Sequence, residues 1–130
     1  MKDILLVDDE PLVRRVVRLI LEPHGVRCVE AQNGQEALKI LDASYPVDLV
    51  ITDNQMPVMS GQQLIARVRR SPTYGQVPIL LLSGHLTDEL EAEANQPGVL
   101  ACLSKPLDVG DLIETVGRLI NLSPVELSLS

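Results

Sequence analysis

Apolar and polar positions along the chain alternate between two kinds of segment. Short aliphatic runs fall at residues 4–7, 26–29, 49–51, 79–82 and 99–103. Uninterrupted runs of this length suit strands covered on both faces. Between them, apolar residues recur at helical spacing. The first such stretch has Pro11 as its first helical residue, where the missing amide is tolerated. It turns Val13, Val16, Val17 and Ile20 inward and Arg14, Arg15 and Arg18 outward, and Gly25 ends it. A second opens at Asn33 with Glu36 three residues on and carries Ala37, Leu38 and Leu41. A third opens with Ser60 and Gln63 in capping-box spacing, followed by Leu64, Ile65 and Val68. The fourth, about residues 87–94, is weak. Leu86, Leu90 and Ala94 are its stripe, and Asp88, Glu89, Glu91 and Glu93 repel one another at helical spacing, which predicts a short or mobile helix closed by Gln96-Pro97-Gly98. The fifth starts near Asp108 and presents Val109, Leu112, Ile113, Val116 and Ile120. Strand followed by helix, repeated along the whole chain, predicts an α/β fold with a doubly wound parallel sheet.

Composition narrows the class. A length of 130 residues suits one compact domain, and 45% hydrophobic residues argue against disorder. Phe and Trp are absent, so the core is built from Leu, Val and Ile, with Tyr45 and Tyr74 the only aromatics. With 11 basic against 18 acidic residues the net charge is −7, which opposes binding to phosphate backbones or anionic lipid. No apolar run approaches the roughly 18 residues of a membrane span. Acidic residues follow Met1-Lys2 too soon for a signal peptide. A soluble cytoplasmic domain over residues 1–122 is expected, with 123–130 a tail or the start of a linker.

In doubly wound sheets ligands bind beyond the carboxyl ends of the strands. Those ends carry Asp8, Asp9 and Glu10 after the first run, Asp53 after the third, Ser83-Gly84 after the fourth and Ser104-Lys105-Pro106 after the fifth. Three aspartates on adjacent ends repel when all are ionised. A hard cation relieves this, and oxygen ligands suit Mg²⁺. Carboxylate nucleophile, metal, ammonium and hydroxyl are the parts of a phosphoryl-transfer site.

Asp8-Asp9-Glu10-Pro11, Asp53 followed by Met56-Pro57 and Gly61, Ser83-Gly84 and Lys105-Pro106 together resemble the receiver domain of bacterial two-component response regulators, of the chemotaxis-regulator kind. The resemblance covers residues 2 to about 121. It implies a flavodoxin-like fold of five strands in the order 2-1-3-4-5 with five helices. It assigns Asp53 as phosphoacceptor, taking a phosphoryl group from a sensor histidine kinase, a phosphotransfer protein or a small acyl phosphate. Asp8, Asp9, Asp53 and the backbone carbonyl of Gln55 would hold Mg²⁺, Asp8 through water. Lys105 and the Ser83 hydroxyl would stabilise the phosphoryl oxygens, and Gln55 and His85 occupy positions that tune its lifetime. The Lys105–Pro106 bond is usually cis in this family. Three carboxylates and Lys105 sum to −2, which Mg²⁺ brings to zero. The partners implied are that kinase or phosphotransfer protein and a downstream protein target or fused output domain, with no nucleic acid or membrane contacted.

Taken singly, each of these residues has a plainer reading: Asp53 as a turn cap, Asp8 and Asp9 as solvated carboxylates, Ser83 as a loop residue, Lys105 as surface charge. Their coincidence at four strand ends favours the site. His24 suits a helix-terminal or solvent-facing position, His85 solvent as readily as tuning, and Arg67, Arg69 and Arg70 a solvated helix face. In the strand order given, Cys28 and Cys102 lie on opposite edges, about 19 Å apart at roughly 4.8 Å per strand, whereas a disulfide needs about 7 Å. Reduced thiols are expected. Cys102 also stands where the family carries Tyr or Phe, the ring that swings inward on phosphorylation. Switching is then expected to rely on the loop after Ser83 and the acidic fourth helix.

Three other functions have sequence features to meet. A phosphatase of the haloacid dehalogenase kind needs an acid Asp two residues after the nucleophile, and Gln55 stands there. A nucleotide or flavin module needs a glycine-rich first turn, where this chain has Asp-Asp-Glu-Pro. A degenerate receiver used only for contacts conflicts with the intact acidic and basic set, although the missing aromatic fits it.

Overall fold

The computed structural model describes residues 1–84 and 101–121. Its elements are β1 (Lys2–Val7), α1 (Pro11–Leu21), a 3-10 turn (Glu22–His24), β2 (Val26–Ala31), α2 (Gly34–Asp42), β3 (Leu49–Asp53), α3 (Gly61–Arg69), β4 (Ile79–Ser83), β5 (Ala101–Ser104) and α4 (Val109–Ile120). The five strands form one parallel sheet in the order β2-β1-β3-β4-β5. Every strand therefore ends at the same edge of the molecule. Four α-helices lie among the described residues rather than the five expected. The weak fourth stretch, His85, Val99, Leu100 and the tail lie outside them.

Alternate residues of the apolar strands feed two separate cores, as the period-2 geometry of a strand requires. Leu5, Val7, Val50, Ile79 and Leu81 pack against Ala37, Leu38 and Leu41 of α2 and Leu64, Ile65 and Val68 of α3. Ile4, Leu6, Leu49, Ile51, Leu80 and Leu82 face the other way, onto Val17 and Leu21 of α1 and Leu112, Val116 and Ile120 of α4. Strands β1, β3 and β4 are buried almost throughout, whereas the edge strand β5 is half-buried or exposed.

The helix starts hold the expected caps. Asn33 Oδ1 accepts from the Glu36 amide at 2.9 Å, and Asp108 Oδ1 from the Asp111 amide at 2.9 Å. Ser60 and Gln63 make both bonds of a capping box. Each such cap contributes about 1 kcal/mol. Gly25, at φ 86°, turns the chain from the 3-10 segment into β2.

Several helix-face expectations are corrected. Val16 is 41% and Val109 52% exposed, rather than buried. The apolar arc of α1 is wider than the sheet can cover: Val17 and Leu21 are buried, Val13 and Ile20 pack half-buried beside them, and Val16 is left at the open rim. Arg14, expected to point outward, is instead folded back with its side chain only 11% exposed, held by Glu30. Arg69 is likewise half-buried and donates Nη1 to the Gly75 carbonyl at 2.6 Å, while Arg67 and Arg70 are exposed. His24 does terminate its turn, yet it is buried rather than facing solvent. Cys28 is buried and Cys102 half-buried on opposite edge strands, neither in a disulfide. Burial pushes the Cys28 thiol up to about 12. No helix of the described residues is long and apolar enough to cross a membrane.

Candidate functional site

The register of the sheet gathers the candidate residues. Asp8 follows the last residue of β1, Asp53 closes β3, Ser83 closes β4 and Lys105 follows β5. Pairing of Asp53 with Leu82 and of Ser83 with Ser104 brings these ends level. Lys105 is fixed by its own amide, which donates to the Ser83 carbonyl at 2.7 Å, and its bond to Pro106 is cis. From there its ammonium reaches back across the sheet. Lys105 Nζ stands 3.1 Å from Asp53 Oδ1 and 3.3 Å from Asp8 Oδ2. Asp8, Asp53 and Ser83 are all buried, and Lys105 is half-buried.

Burying like charges together has a visible cost. Asp8 is held above the ordinary aspartate range chiefly by burial, which the Glu10 amide and the Lys105 ammonium only partly offset. Burial works against the Lys105 ammonium too. Its hydrogen bond to Asp53 and the charges of Asp8 and Asp53 prevail, and the group ends above its usual value. The hollow thus holds more negative charge than one lysine satisfies. Carboxylate oxygens of Asp8, Asp9 and Glu10 come within 4.8 Å of one another, a cluster that could hold a metal ion. Hard oxygen donors of this sort suit Mg²⁺ or a similar cation. Asp9 and Glu10 are exposed at the mouth of the hollow and Asp8 is beneath them.

The loop after β3 is clamped against the site. The Gly61 amide donates to the Asn54 carbonyl at 2.9 Å, and a Cβ on Gly61 would stand 2.5 Å from the Asp53 carbonyl oxygen. Only glycine lets α3 start this close to the strand end. Within the same loop Gln55 is exposed, Met59 is buried against the α2 side of the core, and Val58 has φ 74°. A β-branched residue in the left-handed region is a local strain of order 1–3 kcal/mol, and such strain clusters at functional loops.

Asp8, Asp53 and Lys105 are therefore brought into contact, Asp9 lies beside Asp8, and Ser83 ends the neighbouring strand. Cys102 pairs with Leu81, one strand in from the edge, half-buried against the α3 side. His85 lies outside the described residues. Two further residues touch the site: Glu10, named above only within the motif, and Arg14, expected to face outward. Glu10 adds a carboxylate, and its amide holds Asp8 Oδ1 at 2.9 Å. Arg14 donates Nη1 to the Asp8 carbonyl at 2.6 Å. Glu10 was legible from its place beside the acidic pair. For Arg14 the one available hint is Glu30, an acid on β2 that needs a basic partner.

A doubly wound sheet whose first, third and fifth strand ends combine two buried aspartates with a lysine defines an acidic site of the receiver type. The chain belongs to the response regulator receiver domain family, whose model matches residues 4–117. It is 38% identical over 114 residues to an uncharacterised 14.6 kDa protein of Leptolyngbya boryana, covering 88% of this chain and 86% of that one. To the two-component response regulator ORR8 of Oryza sativa subsp. indica it is 30% identical over 109 residues, 84% of this chain and 90% of that one. Among solved structures, Vibrio cholerae chemotaxis protein CheY4 superposes with a TM-score of 0.84 at 32% identity, covering 92% of this chain and 98% of that one. The chain is a phosphorylation-dependent signalling module of the two-component kind.

Proposed function

We propose that Asp53 is the phosphoacceptor and that the reaction depends on Mg²⁺. The observation that carries this reading is the Lys105 ammonium held between Asp53 and Asp8 in a buried hollow at the strand ends. A carboxylate oxygen of Asp53 attacks the phosphorus of a phosphohistidine on a kinase or phosphotransfer protein. The new O–P bond forms as the P–N bond breaks, and the imidazole leaves. With a small acyl phosphate the bond broken is P–O and the carboxylate leaves. Asp8, Asp9 and Asp53, with the Gln55 carbonyl and Glu10 at the mouth, would hold the metal, which supplies positive charge against the phosphoryl oxygens. Lys105 gives up its contact with Asp53 and pairs with a phosphoryl oxygen, and the Ser83 hydroxyl donates to another. The chain acts on no separate substrate: it catalyses its own phosphorylation and, through attack of water on phosphorus, its own dephosphorylation.

An apolar groove of about 280 Å³ opens beside Lys105, lined by Leu12, Val13, Val16, Pro106 and Val109. It suits the apolar face of a donor protein brought up to the site. With Cys102 in place of an aromatic, the phosphorylated state is read out through residues 83–96, which a comparison of amide exchange with and without a phosphoryl mimic tests. No change in that segment overturns this route.

Intact mass after incubation with a small acyl phosphate tests the main reading. One phosphoryl adduct is expected, requiring both Mg²⁺ and Asp53 and absent in Asp53→Ala. An adduct that persists in Asp53→Ala, or none from acyl phosphates or a panel of kinases, would overturn it.

A further inference from the structure

We infer that Arg14 is a positioning residue for the acidic site, acting through the backbone of Asp8 in concert with Glu30. The inference rests on the reading of the hollow as a metal-dependent phosphoryl-acceptor site. The last register pairs of β1 join Val7 to Ala31 and to Thr52, so Asp8 lies just beyond the paired strand. Its amide still reaches the Ala31 carbonyl at 3.1 Å. Its carbonyl takes a different partner, the guanidinium Nη1 of Arg14 at 2.6 Å. That carbonyl belongs to the peptide unit linking Asp8 to Asp9. Fixing the plane of this unit fixes the directions in which both side chains leave the backbone.

Arg14 is itself held rather than free to swing. Its Nε donates to Glu30 Oε1 at 2.8 Å, and Arg18 Nη1 donates to Glu30 Oε2 at 2.7 Å. Both guanidinium hydrogen bonds keep Glu30 below the usual carboxylate range. Arg14 Nε and Nη1 therefore each have a partner, one on β2 and one on the acidic turn. The Arg14 amide adds a bond to the Glu10 carbonyl at 3.3 Å, closing the turn from the other side. A planar fork with two fixed donors can bridge a carboxylate and a carbonyl in a way a lysine cannot. None of these bonds uses a carboxylate oxygen of Asp8, Asp9 or Glu10. Arg14 thus orients the acidic turn from behind without occupying any of its carboxylate oxygens. Groups that orient ligands in this way typically change metal affinity by about 10–100-fold when removed.

Calorimetric titration of Mg²⁺ into the full chain tests this, alongside amide exchange at Asp9 and Glu10. Arg14→Met is expected to weaken Mg²⁺ binding on the order of tenfold and to speed exchange at those two amides, with Ile4 to Val7 unchanged. Arg14→Lys should recover only part of the affinity, and Glu30→Gln should fall between Arg14→Met and the parent. The Lys and Gln variants keep the test alive if Arg14→Met fails to fold. Parent-like affinity and exchange in a folded Arg14 variant would overturn the inference. If the parent binds no Mg²⁺ while exchange at Asp9 and Glu10 still rises in Arg14→Met, the positioning role stands and the metal reading fails.

Discussion

Two aspartates five residues apart on the same part of the chain are both nearly closed to solvent, yet their environments push them in opposite directions, Asp8 by its deeper burial and Asp3 by its arginine. Asp3, at the amino end of the sheet, is 4% exposed, and Asp8, at the carboxyl end, is 3% exposed. Asp3 receives Nε and Nη2 of Arg27 at 2.8 and 3.1 Å, and that hydrogen bonding holds its carboxyl below the ordinary range. Asp8 shares one ammonium with Asp53, and burial leaves its carboxyl above the range. The amino end satisfies its charge and serves the fold. The carboxyl end leaves negative charge underpaired, which is the condition for attracting a cation or a phosphoryl group with its metal.

The sharpest way to break this contrast uses two glycines with matched clashes. A Cβ on Gly61 would stand 2.5 Å from the Asp53 carbonyl oxygen, and one on Gly75, at the amino end, 2.4 Å from the Ser71 carbonyl oxygen. Gly61→Ala and Gly75→Ala should each cost roughly 1–3 kcal/mol in chemical denaturation. Only Gly61→Ala should also slow formation of the phosphoryl adduct. Equal loss of phosphorylation in both would show that the two ends are not separable.

A smaller effect distinguishes the aspartates themselves. In metal-free buffer at pH 7, Asp8→Asn is expected to stabilise the chain, because the folded-state carboxyl is raised and its ionisation opposes folding. That gain should vanish as pH falls below the unfolded value of 3.8, where both carboxyls are protonated. Asp3→Asn should do the reverse. Its lowered carboxyl contributes stability above 3.8 that is lost as pH falls through the folded value, and the exposed Arg27 limits the loss to about 0.5–1 kcal/mol. Thermal melts of both variants from pH 3 to 7 check the signs. Adding Mg²⁺ should raise the parent midpoint more than that of Asp8→Asn. The smallest change is expected at Val58→Gly. Relief of the φ 74° strain, less the added freedom of the unfolded chain, should leave a gain of roughly 0.5 kcal/mol. A lower melting midpoint would mean that contacts, rather than strain, shape the loop.

Strands were legible because a parallel sheet covered by helices demands unbroken aliphatic runs, and residues 4–7, 49–51 and 79–82 are such runs. Their ends were read short at Asp53 and Ser83, since a polar residue closing a strand looks like a loop. The site was legible for the same reason: charged residues directly after apolar runs stand out. Helix faces were harder. In α1 the apolar arc is wider than the sheet covers, so spacing alone could not tell that Val16 stays exposed while Arg14 folds back. Glu30 decides it, and Glu30 becomes a neighbour only after β2 pairs with β1. Of the two positions open to His24, helix-terminal and solvent-facing, only the first holds, because the 3-10 turn that buries it leaves no periodic trace in the sequence.

Lys105 and Asp8 are 97 residues apart in the chain, yet they meet at 3.3 Å. Contacts of such long separation form only after the intervening loops have closed, and they belong late in assembly. Nothing shorter than the span from β1 through β5 can bring the ammonium to the acids. A polypeptide lacking either end therefore has one side of this contact without the other. The site is therefore a property of the whole sheet rather than of any local segment.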